Sequence, residues 1–310
     1  MANVLVTGGG GFIGSHLVEA LVRRGDRVRV VDNLSTGHEG NFAAVRREID
    51  FIHGNLCDES VVARAVRGIE IVFHEAALAS VPRSIEQPLD THANCATVTL
   101  QVLNEARRAD VRRVVYAASS SAYGNLPKPA KQESDPCQPL SPYAAAKLAG
   151  EMYCQSFFHS YGFETVCLRY FNVFGPRQDP NSPYSAVIPL FITSMIAGKR
   201  PIVFGDGQQS RDFVFIQNVV DINLLAAEAK NAAGLVFNVG CGRSYNLLQL
   251  IASLNRILHT NLQPDFHSPR SGDVRESLAD ISLARTVLGY QAQIDLEQGL
   301  QQTVDFYRGS

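Results

Sequence analysis

The chain has 310 residues, 45% hydrophobic and 19% charged, the balance of a globular protein able to bury a large core. Its formal net charge of -2 gives no basic field, so nucleic acid is not expected as a partner. Cys57, Cys95, Cys137, Cys154, Cys167 and Cys241 form no Cys-x-x-Cys pair and the eight histidines do not cluster, so no metal site is expected. No apolar run is long enough to span a bilayer, and the first residues enter a strand rather than a signal peptide. The expectation is a reduced, cytoplasmic protein with no membrane partner.

Residues 3–7 read as a short apolar strand. The turn Gly8-Gly9-Gly10-Gly11-Phe12-Ile13-Gly14 follows, and then Leu17, Val18, Leu21 and Val22 fall on one helical stripe. Strand, glycine turn and helix make the dinucleotide fingerprint: glycines admit a pyrophosphate close to the backbone, where it meets the helix N-terminus. A second strand, 27–32, ends in Asp32. An acid there bonds the adenosine ribose hydroxyls and repels a 2′-phosphate, which favours NAD over NADP.

Strands at 49–53 and 69–74 alternate with a helix at 58–67. A helix within 90–109 precedes a strand at 111–118 that delivers Ser119, Ser120 and Ser121. Strands of continuous β-branched residues between helices predict a parallel sheet covered on both faces, with ligands beyond the strand carboxyl ends. Ser141 and Pro142 mark the start of a helix on which Tyr143 and Lys147, four residues apart, share one face. A phenol with its ordinary pKa of about 10 is a poor base at neutral pH. A neighbouring ammonium is expected to lower that value, and serine hydroxyls can bond the same reacting oxygen. Together they make a proton-transfer device for an alcohol or ketone, set in one crevice with the glycine turn.

Beyond a strand at 164–171 the texture changes. Residues 174–185 hold three prolines and little periodicity, as a long functional loop does. A helix at 186–198 and strands at 201–204 and 235–239 follow, the last returning to the main sheet. The expected fold is α/β, a Rossmann-type doubly wound parallel sheet with a smaller, discontinuous α/β substrate domain. The first is assigned to 1–173 plus about 212–240, the second to about 174–211 plus 241–310.

These residues resemble the extended short-chain dehydrogenase/reductase family, specifically its nucleotide-sugar 4-epimerases, over nearly the whole chain. The markers are Thr7 through Gly14, Ser119 through Gly124, Tyr143 to Lys147, Arg169 through Gly175, Arg211-Asp212, and Arg270 through Asp273. Ser80 through Ser84 and residues 175–189 are similar to the bacterial UDP-N-acetylglucosamine 4-epimerases. The resemblance implies that Gly8, Gly11, Phe12, Ile13, Gly14, Asp32, Asn33, Ser35, Thr36, Gly37, Asn55 and Leu56 hold the adenosine half and pyrophosphate of NAD. It gives Glu75, Ala77, Tyr143, Lys147 and Val173 to the nicotinamide half. Asn172, Arg211 and Arg270 would take the substrate diphosphate, and Asp273 the uridine portion. Ser80, Arg83, Ser119, Ser120, Tyr143, Val187, Phe204 and Ser277 complete the substrate set. Two departures are Asn55, where the family usually has Asp, and Ala79, where close relatives carry Gly.

The implied chemistry is C4 epimerisation of a UDP-hexose or UDP-N-acetylhexosamine through a 4-keto sugar. Tyr143 removes the 4-hydroxyl proton, Lys147 lowers the phenol pKa and Ser119 holds O4. Dehydratases of the family carry an Asp-Glu pair where this chain has Ser120 and Ser121, and decarboxylases an acid where it has three alanines between Tyr143 and Lys147. The alternatives kept open are a UDP-glucose 4-epimerase without N-acetyl activity, a uronate 4-epimerase or decarboxylase, and a non-catalytic NAD-binding regulator. Ser277 matches the family's gate beside the sugar C2 substituent, and a small residue there leaves room for an acetamido group. By analogy with relatives, helices at 90–109 and 143–162 are expected to pair two copies as a homodimer.

Overall fold

A computed structural model describes residues 1–180, 186–269 and 275–309. Seven strands form the central sheet: β1 (Asn3–Thr7), β2 (Arg27–Asp32), β3 (Ile49–His53), β4 (Ile71–His74), β5 (Arg113–Ser119), β6 (Glu164–Tyr170) and β7 (Val236–Val239). All neighbours are parallel, in the order β7-β6-β5-β4-β1-β2-β3. The strand order reverses between β1 and β4, so the chain leaves those two ends in opposite directions and opens a crevice above them.

Side-chain alternation explains why the strands read as continuously apolar. Val4, Val6, Val28, Val30, Ile71 and Phe73 face one buried cluster, while Leu5, Val31 and Val72 face a second on the opposite side. The helices Phe12–Arg23 and Ile216–Glu228 cover the first face. Glu59–Val66, Val98–Arg108 and Pro142–Tyr161 cover the second. Arg113, 2% exposed, closes the last turn of Ile216–Glu228 by donating Nη1 to the carbonyls of Ala226, Ala227 and Ala229 at 2.9–3.0 Å. A cation at a helix C-terminus is matched to the dipole there.

The helix expected at Tyr143 begins at Pro142, capped by Ser141, whose hydroxyl accepts from the Ala144 N–H at 3.1 Å. It packs unusually close to β5. A Cβ at Gly150 would stand 2.3 Å from the Tyr116 hydroxyl, which instead donates to the Lys147 carbonyl at 3.1 Å. Glu151 on the same helix takes two bonds from Arg169 of β6, at 2.8 and 2.6 Å, with both side chains buried.

Smaller sheets lie beside the main one. Tyr245–Asn246, Ser210–Arg211, Glu276–Ala279 and Ala130–Lys131 form one of four strands. Asn172–Phe174 pairs with Phe213–Phe215, and Ile202–Phe204 with Asp265–His267. The strand Ala130–Lys131 comes from inside the range assigned to the nucleotide-binding part, so the two assigned parts share a sheet. Asp212, wholly buried, ties this region together: its carboxylate accepts the N–H groups of Cys241, Gly242 and Ala279 at 2.8–3.2 Å.

Candidate active site

The glycine turn lies at the carboxyl end of β1. Gly8 has φ +69, and a Cβ there would meet the Ala76 backbone at 2.8 Å, while one at Gly14 would stand 2.2 Å from the Gly8 carbonyl oxygen. Gly11 caps the helix Phe12–Arg23 without a side chain, which leaves its first N–H groups for an anion. Asp32 ends β2, and its two oxygens accept from Gly10 N at 2.8 Å and Leu34 N at 2.7 Å. Each carboxylate oxygen keeps a second lone pair for a ribose hydroxyl.

The loop with Asn33, Ser35, Thr36 and Gly37 folds back so closely that a Cβ at Gly37 would be 2.7 Å from Gly10. Asn55 and Leu56 follow β3, where Gly54 N–H bonds the Asp32 carbonyl at 3.0 Å. Asn55 spends its side-chain oxygen on the Cys57 N–H at 3.0 Å. The residues expected at the adenosine half are thus gathered on the β1–β3 side. Glu75 and Ala77 follow β4, across the switch point.

Ser119 ends β5, and its hydroxyl is shared with the Ser121 hydroxyl at 2.8 Å and the Ser121 N–H at 3.2 Å. Ser120 opens the short helical turn Ser120–Tyr123 just beyond it. The Ser119 side chain lies near enough to the Tyr143 phenol to act on its titration. Lys147 is 3% exposed and lays its ammonium 4.5 Å from the ring centre of Tyr116. Ser119 thus stands by Tyr143, while Lys147, one turn further along the same helix, places its ammonium over Tyr116.

One expectation needs correction. Lys147 was expected to lower the Tyr143 phenol, but in the protein alone that phenol is raised above its ordinary value. Desolvation is the largest cause, Cys95 adds to it, and the Ser119 side chain opposes it. Burial also lowers Lys147, with Cys95 and Glu75 opposing. The Lys147 ammonium stands over the Tyr116 ring, and burial dominates at the phenol.

A cavity of about 240 Å³ lies beside the crevice. Asn172, Val173, Val187, Phe204 and Arg211, all expected from the sequence, line it together. Gln209 lines it too; sequence reasoning missed it because a glutamine in a polar turn carries no local signal. Ser277 is not a lining residue, but it is the parallel register partner of Arg211, which is. Ser80 caps the helix Val81–Glu86 by accepting the Arg83 N–H at 3.2 Å, which places both at one helix start. Arg270 and Asp273 lie outside the described residues. Among the described residues no group of His, Cys, Asp and Glu is arranged to hold a metal, and no helix is long and apolar enough to cross a membrane.

A doubly wound parallel sheet with its glycine turn at the switch point, and a Ser-Tyr-Lys group in the same crevice, defines a Rossmann-type nucleotide-dependent enzyme. Residues 4–240 match the NAD dependent epimerase/dehydratase family, and the chain belongs to that family, whose cofactor is NAD. The UDP-glucose 4-epimerase of Mycolicibacterium smegmatis is 37% identical over 309 residues, covering 98% of each chain. A UDP-N-acetylglucosamine 4-epimerase from Methanobrevibacter ruminantium, solved with UDP-N-acetylmuramic acid, superposes with a TM-score of 0.95 at 39% identity, covering 99% of this chain and 98% of the other. The UDP-glucose 4-epimerase of Thermotoga maritima, solved with UDP-glucose, gives 0.94 at 38% identity, covering 99% of each.

Proposed function

We propose that this enzyme epimerises UDP-hexoses at C4, interconverting UDP-N-acetylglucosamine with UDP-N-acetylgalactosamine and UDP-glucose with UDP-galactose. The observation that carries the reading is Ser119 at the end of β5 beside Tyr143, with Lys147 one turn along the same helix, in a sheet whose glycine turn ends β1. Gly8, Gly11, Gly14 and the free helix N-terminus fit a pyrophosphate, and Asp32 fits an unphosphorylated ribose. NAD, when bound there, supplies a hydride acceptor for C4.

The chain's own groups supply the rest. Tyr143 takes the 4-hydroxyl proton and returns it, Ser119 holds O4, and Lys147 holds a positive charge in the desolvated crevice. Asn172 and Arg211 bind the diphosphate, for which a guanidinium fork is suited. The 4-keto sugar turns about its diphosphate link between the two half-reactions. All seven strands of the main sheet fall within 1–173 and 212–240, which supports assigning that part to NAD and the rest to the sugar nucleotide. Ile85 and Leu89 on the helices of 81–92, and Met152 on the helix Pro142–Tyr161 that packs against them, stand exposed, which supports a second copy covering that region.

The test is turnover of UDP-glucose, UDP-N-acetylglucosamine and UDP-glucuronate, each supplied separately, with identification of the product sugar. Tyr143→Phe should keep fold and bound NAD while lowering turnover by about 10²–10⁴-fold. Near-normal turnover in that variant sinks the mechanism. Conversion of the uronate alone would replace the substrate, and no turnover of any sugar would leave a nucleotide-binding protein without this activity.

A further inference from the structure

The loop that leaves the cavity makes contacts that substrate binding does not explain. Asn172, Val173 and Phe174 line the cavity, and the chain then turns at Gly175, where a Cβ would stand 2.5 Å from Ile216 Cγ2. The next residues run onto the helix Phe12–Arg23. The Pro176 carbonyl accepts from His16 Nε2 at 3.0 Å. Arg177 Nη2 donates to Glu19 Oε1 at 2.5 Å, and its Nη1 donates to the Ser15 hydroxyl at 3.4 Å. Ser15 and His16 precede Glu19 by four and three residues, so all three share one face of that helix.

Arg177 holds its place against its backbone preference. Its φ is +66, in the left-handed region that favours glycine, and a larger residue stays there only where its surroundings compensate. The guanidinium supplies the compensation. Glu19 and Ser15 are both buried, and Ser15 Oγ is itself fixed by donating to the Phe12 carbonyl at 3.1 Å. Burial keeps His16 neutral at physiological pH, so its bond to Pro176 persists across that range. On the other side, Gln178 Nε2 donates back to the Val173 carbonyl at 3.2 Å, and the Tyr307 hydroxyl donates to the Gln178 carbonyl. Pro176, Arg177 and Gln178 therefore join the first two turns of the helix behind the glycine turn to the wall of the cavity.

We propose that Arg177 is a positioning residue: its bridge to Glu19 locks the substrate cavity to the helix that receives the cofactor pyrophosphate, so that sugar and cofactor meet in one fixed register. This rests on the reading of the Asn172–Arg211 cavity as the sugar-nucleotide site. Turnover is steeply sensitive to such a register, since a misplacement of about 1 Å can cost roughly a hundredfold in rate. A rigid latch also couples the two sites, because a ligand that orders one side leaves less to be ordered by the other. Occupation of the helix N-terminus should therefore tighten binding in the cavity, and the reverse by the same factor.

Calorimetric titration of UDP into NAD-free and NAD-loaded protein measures that factor. In the parent, NAD should tighten UDP by about fivefold or more. Arg177→Gly removes the guanidinium and suits the backbone, and Glu19→Gln removes the charge that it meets. In both variants the coupling should largely vanish and kcat should fall about tenfold or more, while NAD alone binds as in the parent. Arg177→Lys keeps a cation for Glu19 and should retain most of the coupling. The double variant of Arg177→Gly with Glu19→Gln should be no worse than the worse single one, and additive losses overturn the bridge. A lowered melting temperature with the coupling intact would leave Arg177 a structural residue and overturn the proposal. A parent that binds UDP without coupling to NAD overturns the proposal alone. A parent that binds no UDP overturns the cavity reading, and the proposal with it.

Discussion

Asp32 serves the fold and the ligand at once. It holds Gly10 and Leu34 by their N–H groups, fixing the glycine turn, and offers its remaining lone pairs outward. Asp32→Ala should therefore weaken NAD by tenfold or more, at about 1.4 kcal/mol per factor of ten, and narrow the preference over NADP. Titration of the apoprotein with both nucleotides checks it, and an undiminished preference would refute the role. Ser277 is a second single-residue decision. Its strand lies beside Arg211 in parallel register, so its side chain is on the same face as a cavity-lining residue. Ser277→Tyr should spare the UDP-glucose reaction and suppress the acetamido one. Forcing bulk into a packed site costs about 1–3 kcal/mol, roughly ten- to a hundred-fold in discrimination. Equal losses on both sugars would show that Ser277 is no gate.

The helix Pro142–Tyr161 is the element on which the chemistry depends. Its start is fixed by Ser141 and Pro142, its approach to β5 by Gly150, and its rotation by the Glu151–Arg169 pair. That pair lies two turns beyond Tyr143, with Arg169 also resting on the Tyr123 ring at 4.6 Å. Glu151→Ala would leave a buried guanidinium uncompensated, at a cost of about 3–5 kcal/mol. Chemical denaturation should show that loss, and a stability within about 1 kcal/mol of the parent would mean the pair is weakly coupled to the fold. The strand Glu276–Ala279 is held in the same spirit by Asp212, through the Ala279 N–H.

Among the described residues, four buried groups make opposing contributions to the pH dependence of stability. Burial lowers His16 to about 4 and His74 to about 3, and raises Glu75 to about 7 and Asp212 to about 6. Raised acids stabilise the fold below their unfolded values and lose that contribution as pH rises through the folded ones. Lowered histidines act in the opposite sense, because the unfolded chain binds their protons more tightly. Between about pH 4.5 and 6 the unfolded chain carries two protons on the histidines and the folded one carries two on the acids. The effects of these four cancel, so their combined contribution to the melting temperature should be nearly flat there. Glu75→Gln removes one side of the balance, and its melting temperature should rise with pH over that window. A flat curve in the variant would show that Glu75 does not hold its proton in the fold.

The sequence by itself determined the alternation of strands and helices, the glycine turn, Asp32 at the end of β2, Ser119 at the end of β5, and the start of the helix carrying Tyr143 and Lys147. These features are local, since periodicity, capping and turn chemistry act within a few residues. The element ends shifted by a residue or two, as at β4, which begins at Ile71 because Ile69 still bonds back to Val66. Only the tertiary structure decided that Ser277 stands beside Arg211, that Ala130–Lys131 joins the small sheet, that Asp212 is a buried knot, and that Glu75 meets Tyr170 and Asn223. It also decided that burial, not Lys147, governs the Tyr143 phenol. The physical reason is one of distance along the chain: strand pairing and desolvation depend on segments that fold back from far away, and no local pattern records which will meet.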